Sequence, residues 1–591
     1  MFQRLERVAA VACLVMFLAI GLCGIVPSRS LGSSLSQQVS DNIRDFFDHQ
    51  TPPGVLTLSP MKIPLTSDVA QFYRDENFRP AWVDDFGTSS MAADLRDVLE
   101  RCWIDGLVAE DYHLSQIKTL MKLEQDSRRY QVLQDAHYLA QLDILLSDAF
   151  LLYATHQTAG RVDPNVIYEG EWKARPRRAN VVQLLKFSLK NQRVATALQD
   201  MQPNFPGYAR LRQALETYQI LQRQGGWEQI PDGPVVKPGQ EDERIPLLRK
   251  RLQATSDLVP DQFVTLDIDG QEVSLPLPLP DGNKLDAKTV SALRIFQARH
   301  GLQDDGVLGP KTLTALNVPA ATRLRQLQLN LERWRWLPKV LGDRYLLVNI
   351  ADFHLFVVER GKTVMEMPVV VGTAFRRTPV FSDEMTYIEF APYWNVPETI
   401  LEEDKLPQIR RNVNFLGRHH FEIVSWNNSS ERIIDPHSIN WRKVTADNFP
   451  GILRQKPGPW NALGHVKFMF PNEFDVYLHD TPDRYLFVRD RRSYSSGCIR
   501  IERPLDLAQY LLAGTGTWDC DSIQDQMEGF EPKRVMLPRG IPVHILYWTA
   551  WVDEQGQVQF RDDIYERDAA LEVALFGTQE TKMMAQVGAG R

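Results

Sequence analysis

The apolar residues of this chain keep two different spacings, and the change between them limits what it can fold into. Up to about residue 224 they recur at steps of three and four, the repeat of a helix with one buried face. The clearest run is Val132, Ala136, Leu139, Leu142, Leu146, Ala149, Phe150 and Tyr153, which predicts one long amphipathic helix ended near Gly160 and Pro164. Shorter helices are expected at about 91–102, 181–191 and 207–224. Beyond residue 343 the apolar residues gather in short β-rich runs, at 345–350, 353–358, 364–371, 388–390, 466–470, 476–478, 486–488 and 543–546, with Arg360-Gly361 as a turn. A helix is expected at 504–512. A chain of 591 residues with such a switch is too long for one core and reads as multidomain α+β.

The boundaries follow from composition. Arg4 and Arg7 precede an apolar run at 8–26, so residues 1–30 read as a signal anchor or a cleaved signal peptide, arginines inside and the rest exported to the periplasm. Residues 31–60 are a Ser-, Pro- and Gln-rich spacer, and 61–224 a helical scaffold. After a Gly- and Pro-rich linker, 244–318 form a small helical module. A helix at 323–337, with Leu327, Leu331, Trp334 and Trp336, leads into a mainly β domain at 343–547, followed by a C-terminal extension, 548–591. Inside the β domain, about 399–460 is long, polar and poor in regular signal, which suggests a lid.

The net charge of −8 argues against nucleic acid, which leaves a basic footprint. Arginine-rich runs at 175–178 and 489–492 are solvated loops unless the second draws an anionic substrate. Five cysteines are present. Cys13 and Cys23 fall in the export segment, leaving Cys102, Cys498 and Cys520, an odd number that implies a free thiol. Cys102 reads as a small core residue, and a Cys102–Cys520 disulfide stays open. His419, His420, His437 and His465 share no metal-ligand spacing, and neither a metal nor a cofactor is expected.

Cys498 is different. It follows Gly497 in Ser495-Ser496-Gly497-Cys498-Ile499-Arg500, and His479 stands nineteen positions upstream at a strand end. A thiol is mostly protonated at neutral pH, and an imidazole can take its proton and return it to a leaving amine. Gly497 lets the backbone turn and present amides to an oxyanion, the candidates being Gly497 and Cys498. Taken alone, one cysteine and one histidine fit a structural pair equally well.

The longer strings decide between these. His479-Asp480-Thr481-Pro482 followed by Ser495-Ser496-Gly497-Cys498-Ile499-Arg500 resembles the L,D-transpeptidase (YkuD-type) catalytic domain, over about 343–547. Leu248-Arg249-Lys250-Arg251-Leu252, Phe296-Gln297-Ala298-Arg299-His300-Gly301-Leu302, Asp305-Gly306-Val307-Leu308-Gly309 and 312–317 resemble the peptidoglycan-binding domain 1 module, with an insertion at 266–283. The arrangement is similar to the large YcbB-like crosslinking type. Many members carry histidine before the glycine; Ser496 stands there in this chain, leaving His479 as the base.

The resemblance implies that Cys498 attacks the carbonyl between the L-centre of diaminopimelate and D-alanine in a tetrapeptide stem. D-Alanine leaves a thioester, and the side-chain amine of a second stem resolves it as a 3→3 crosslink. His479 is base and acid, oriented by a backbone carbonyl, so the Asp480 carboxylate need not act. Arg500 holds a substrate carboxylate or braces the turn. Ser496, Tyr477 and Trp394 would line the substrate groove, although Tyr477 and Trp394 also suit a core. Implied partners are peptidoglycan stems as donor and acceptor, cell-wall synthesis proteins and, through the anchor, the inner membrane. Carbapenems should acylate Cys498. The alternatives are a carboxypeptidase or hydrolase working through the same thioester, and a non-catalytic wall-binding scaffold.

Overall fold

The computed structural model describes residues 33–49, 54–58, 61–131, 133–259, 263–268, 271–276, 282–427, 430–514 and 516–577. The apolar run at 8–26, with Cys13 and Cys23, lies outside them, as does the end of the C-terminal extension. Among the described residues no helix is long and apolar enough to cross a membrane. The chain forms two compact units. Of the described residues, one unit takes those up to 101 with those in 108–154 and 180–200; the other takes 102–107, 155–179 and those from 201 to 577.

The first unit is helical, with two small hairpins at Val55–Leu58/Met61–Pro64 and Val83–Asp84/Gly87–Thr88. Its long helix, Ala136–Ala159, is not the amphipathic element the spacing predicts: every residue from 139 to 150 is buried. Polar side chains reach that core because each finds partners. Asp143 accepts from the Tyr73 hydroxyl at 2.6 Å and the Trp82 amide at 2.7 Å, and the Trp82 indole donates to Ser147 at 2.9 Å. Asp148 takes the Thr66 amide and the His113 ring.

In the second unit, the helix Pro206–Arg223 packs through Leu211, Leu215 and Tyr218 onto Leu327 and Leu331 of Ala320–Arg335 and onto Phe560. It therefore leaves the 61–224 group in which its sequence position puts it. The helices Ile245–Ala254, Ala287–Arg299 and Pro310–Leu316 share one small core, with a hairpin of Phe263–Ile268 and Gln271–Pro276 in the predicted insertion. The second helix begins as its sequence suggests, Asp286 accepting from the Thr289 amide at 2.8 Å.

The β domain is one sheet of nine strands: β1 Arg344–Asn349, β2 His354–Glu359, β3 Lys362–Gly372, β4 Phe381–Phe390, β5 Val466–Met469, β6 Leu478–His479, β7 Ser493–Ser495, β8 Ile499–Ile501 and β9 Lys533–Leu546. They run β7-β3-β8-β6-β5-β4-β9-β1-β2, and β2 pairs again with β3, closing the sheet on itself. The β2–β3 hairpin turns at Arg360 (φ 48°) and Gly361 (φ 77°), the two positive φ values a tight hairpin needs. The helix Pro504–Leu512 forms where expected, with proline in its first turn. Residues 486–488 are no strand: Arg484–Leu486 is a 3₁₀ turn, and Leu486 and Phe487 plug against Val370.

The polar segment between β4 and β5 is also more ordered than its composition suggests. It carries helices Leu406–Arg411 and Asn414–Arg418 and a sheet of Trp394–Asn395, Ile452–Gln455, Phe421–Asn427 and Ser430–Ile434, in that order. Trp394, Leu406, Ile409, Phe421, Ile423 and Leu453 give it a core of its own.

Candidate active site

The nucleophile candidate sits where β7 is handed over to β8. Gly497 has φ +114°, a conformation that side chains disfavour, and the turn it makes is held from both sides. Ser495 donates its hydroxyl to the Cys498 carbonyl at 2.5 Å and accepts the Gly497 amide at 3.2 Å. Buried Thr378 donates to the Gly497 carbonyl at 2.8 Å and accepts the Gly372 amide at 2.9 Å. Tyr565, from the C-terminal extension, accepts the Thr378 amide at 3.2 Å and donates to the Gly372 carbonyl at 2.7 Å. Of the two amides expected to face an oxyanion, that of Gly497 is thus bound to Ser495. The Cys498 amide has no partner recorded among the described residues.

β6 and β8 pair in parallel, with His479 opposite Arg500 and the Ile499 amide donating to the Tyr477 carbonyl at 3.1 Å. Cys498 is therefore two positions before Arg500, the residue in register with His479, and so on the same face of the sheet. Both line a cavity of about 570 Å³, together with Tyr477, Ser496, Arg500 and Trp394. The structure brings all of these sequence-derived candidates to one place.

His479 is buried, and its Nδ1 lies 2.5 Å from the Asp480 carbonyl oxygen. A carbonyl only accepts, so Nδ1 carries the hydrogen and Nε2 the lone pair. Burial, then the charge of Arg500, hold the imidazole down at about 3, against hydrogen bonds to the Asp480 and Leu463 carbonyls. The Asp480 carboxylate is occupied elsewhere, accepting the His465 amide at 2.9 Å and Arg484 at 3.1 Å. Burial pushes the Cys498 thiol up to about 11, while hydrogen bonding from Tyr477 and the charge of Arg500 pull it back. The residue is only half-buried, so solvent moderates this upward push.

Arg500 is turned to Asp483, at 2.8 Å, and to Thr481, at 3.5 Å, so it braces the loop after β6. Exposed Ser496 accepts from Arg376 at 3.0 Å; the same guanidinium grips Glu403 and Asp404 of the inserted segment. Tyr477 lies edge-on to the His479 ring, 5.7 Å between centroids. Trp394 is 8% exposed, a core residue of the insertion and a wall of the cavity at once. No Cys102–Cys520 disulfide forms; Cys102 is buried and Cys520 exposed. Among the described residues no group of three or more His, Cys, Asp and Glu is placed to hold a metal.

Thr378, Tyr565, Arg376 and Lys405 were not marked by the sequence. Thr378 reaches the Gly497 carbonyl from 119 positions away, Arg376 reaches Ser496 from 120 and Tyr565 reaches the Gly372 carbonyl from 193, and Lys405 enters the cavity from the inserted segment, so no local spacing reports them.

Residues 343–528 match the family "L,D-transpeptidase catalytic domain", 67–215 the "Scaffold domain" and 275–316 the "Putative peptidoglycan binding domain". A "Putative L,D-transpeptidase" of Haemophilus influenzae is 33% identical over 250 residues, 42% of this chain and 49% of that protein. The chain thus spans about half the length of the curated relative it matches. Among solved structures, an L,D-transpeptidase from Stackebrandtia nassauensis is 15% identical, over 54% of this chain and 97% of that one, with TM-score 0.20. One from Xylanimonas cellulosilytica is 13% identical, over 54% and 99%, with TM-score 0.16; superpositions this slight carry no weight of their own. By its motifs, its closed sheet and its family match, the β domain of this chain is an L,D-transpeptidase catalytic domain, joined to a Scaffold domain and a peptidoglycan-binding domain.

Proposed function

We propose that the protein is a peptidoglycan L,D-transpeptidase that builds 3→3 crosslinks outside the cytoplasm, held to the inner membrane by residues 1–30. The observation that carries this reading is the juxtaposition of Cys498 with a neutral His479 whose Nδ1–H is fixed on the Asp480 carbonyl. With the hydrogen on Nδ1, the lone pair is on Nε2, as a general base requires.

The steps follow from these groups. Cys498 Sγ attacks the carbonyl between the L-centre of diaminopimelate and D-alanine, and its proton passes to His479 Nε2. The Cys498 amide faces the oxyanion; Gly497 joins it only by giving up Ser495. The intermediate collapses, the C–N bond breaks, and His479 returns the proton to the departing D-alanine amine. The side-chain amine of a second stem then loses a proton to His479 and attacks the thioester, which restores the thiol. No external energy source enters, because the thioester conserves the energy of the peptide bond. A thiol with a raised pKa beside an imidazole with a lowered one rests uncharged, so proton transfer accompanies attack. Arg500 acts as a brace, and Trp394, Tyr477 and Ser496 line the donor groove.

Incubation of the full chain with tetrapeptide stems, with products resolved by mass, tests the reading. Crosslinked dimers are expected; tripeptides alone would mean hydrolysis through the same thioester. Cys498→Ala should abolish both, and a carbapenem adduct should map to Cys498. Crosslinking by Cys498→Ala protein at the wild-type rate would refute the assignment.

A further inference from the structure

The cavity around Cys498 has two walls, the sheet that carries the thiol and the inserted segment. The insertion supplies Trp394, Phe421, Asp404 and Lys405. Lys405 ends a π-helical turn, Leu401–Lys405, set between Glu398–Ile400 and Leu406–Arg411. One extra residue in such a turn swings a side chain off the regular helical positions, and these turns recur at functional sites. The Lys405 ammonium lies 5.3 Å from the centroid of Trp394 and 5.5 Å from that of Phe421, so both rings steady its stem in the cavity.

Apart from Asp475, the other charged side chains lining the cavity are paired. Arg500 is paired with Asp483 at 2.8 Å, and Asp404 with Arg376 at 2.8 Å. Among the described residues lining the cavity, Lys405 is the one cation with no ion pair. Burial holds its ammonium below the ordinary lysine range, with Asp404 partly opposing, so a carboxylate bound beside it would recover interaction that the site itself withholds.

We propose that Lys405 binds one of the stem's two side carboxylates, that of D-isoglutamate or that of the D-centre of diaminopimelate, and not the terminal D-alanine carboxylate, so that the inserted segment selects acidic stems for the thiol opposite. This rests on the transpeptidase reading, whose stems carry free carboxylates on D-isoglutamate and on the D-centre of diaminopimelate. The ligand is recognised by charge and by the aromatic faces that flank it.

The test separates this proposal from the reading beneath it. Tetrapeptide stems are titrated by calorimetry into full-length Cys498→Ala protein, which cannot turn them over, with and without Lys405→Met. Methionine keeps an unbranched stem over Trp394 and Phe421 and removes only the charge; Lys405→Gln serves should the methionine variant fail to fold. Three stems are used: the free acid, one amidated at isoglutamate and one amidated at the D-centre. We expect Lys405→Met to weaken the free acid about tenfold or more, the order of a hydrogen bond to a charged group, and to leave one of the amides unchanged. That amide identifies the carboxylate. Equal loss for all three stems, no loss for any, or no binding by the protein with Lys405 intact would overturn the proposal. Wild-type protein that releases neither dimers nor tripeptides would instead sink the enzymatic reading and leave the carboxylate site standing.

Discussion

Replacing Thr378 by valine removes one hydroxyl and almost no volume, at a position with no exposed surface. That hydroxyl joins the Gly497 carbonyl to the Gly372 amide. Valine leaves both backbone groups buried without a partner, and each such group costs about 1–3 kcal/mol. The turn can relax toward solvent at Cys498, so the expected loss is near the lower bound, about 2–3 kcal/mol for the pair. For a domain of a few hundred residues, at about 2–4 °C per kcal/mol, the second unit should melt about 5–10 °C lower. The same relaxation moves the Cys498 amide from where an oxyanion forms, so kcat should fall about tenfold or more while KM changes less. Thermal melting and steady-state crosslinking on tetrapeptide stems read the two effects, with Thr378→Ser, which keeps the hydroxyl, as the control that restores both. A valine variant that melts and turns over like wild type would show that the turn is held by something other than this hydroxyl.

Further outcomes follow from the same contacts. Tyr565→Phe should lower kcat and melting in the same direction but less, by about 1–2 kcal/mol in stability, and combined with Thr378→Val it should cost less than the sum, because the two share one path. Alkylation of Cys498 by iodoacetamide should be slow at pH 7 and still rising at pH 9, since burial holds the thiol near 11 and His479 near 3; a plateau near pH 6 would mean a preformed ion pair. Because His479 binds its proton less readily folded than unfolded, the stability it contributes is complete above about pH 6.5 and drains away as pH falls toward 3. Chemical denaturation between pH 7 and 4 should show this slope, and His479→Gln should flatten it.

The parts of the fold that sequence makes legible are those whose causes are local. Pro504 and the apolar repeat after it mark a helix, and Arg360-Gly361 marks a hairpin, because each needs only its neighbours. Residues 486–488 mislead because a three-residue apolar run says nothing about whether it pairs edgewise or plugs a gap, as Leu486 and Phe487 do against Val370. The sheet of the insertion hides because Glu422, Ser425, Ser430 and Glu431 dilute its alternation, and its strands pair with one another rather than with a larger sheet. In the helix Ala136–Ala159, polar letters at Asp143, Ser147 and Asp148 imitate a solvent face, yet they meet Tyr73, Trp82 and His113 inside. At the candidate site, Cys498 and His479 announce themselves by motif, while Thr378 and Tyr565 act through backbone groups more than a hundred positions away and leave no pattern to read.

The bracing of the catalytic turn by Tyr565 also bears on when a newly made chain acquires its reactive centre. Synthesis runs from the amino end, so the thiol emerges well before the tyrosine that steadies its loop. Until the last tenth of the sequence has arrived and docked, the sulfur rides on a turn lacking one of its two outer ties. A polypeptide cut between strand β9 and that tyrosine would keep every letter of the cysteine motif and lose part of what holds it in shape.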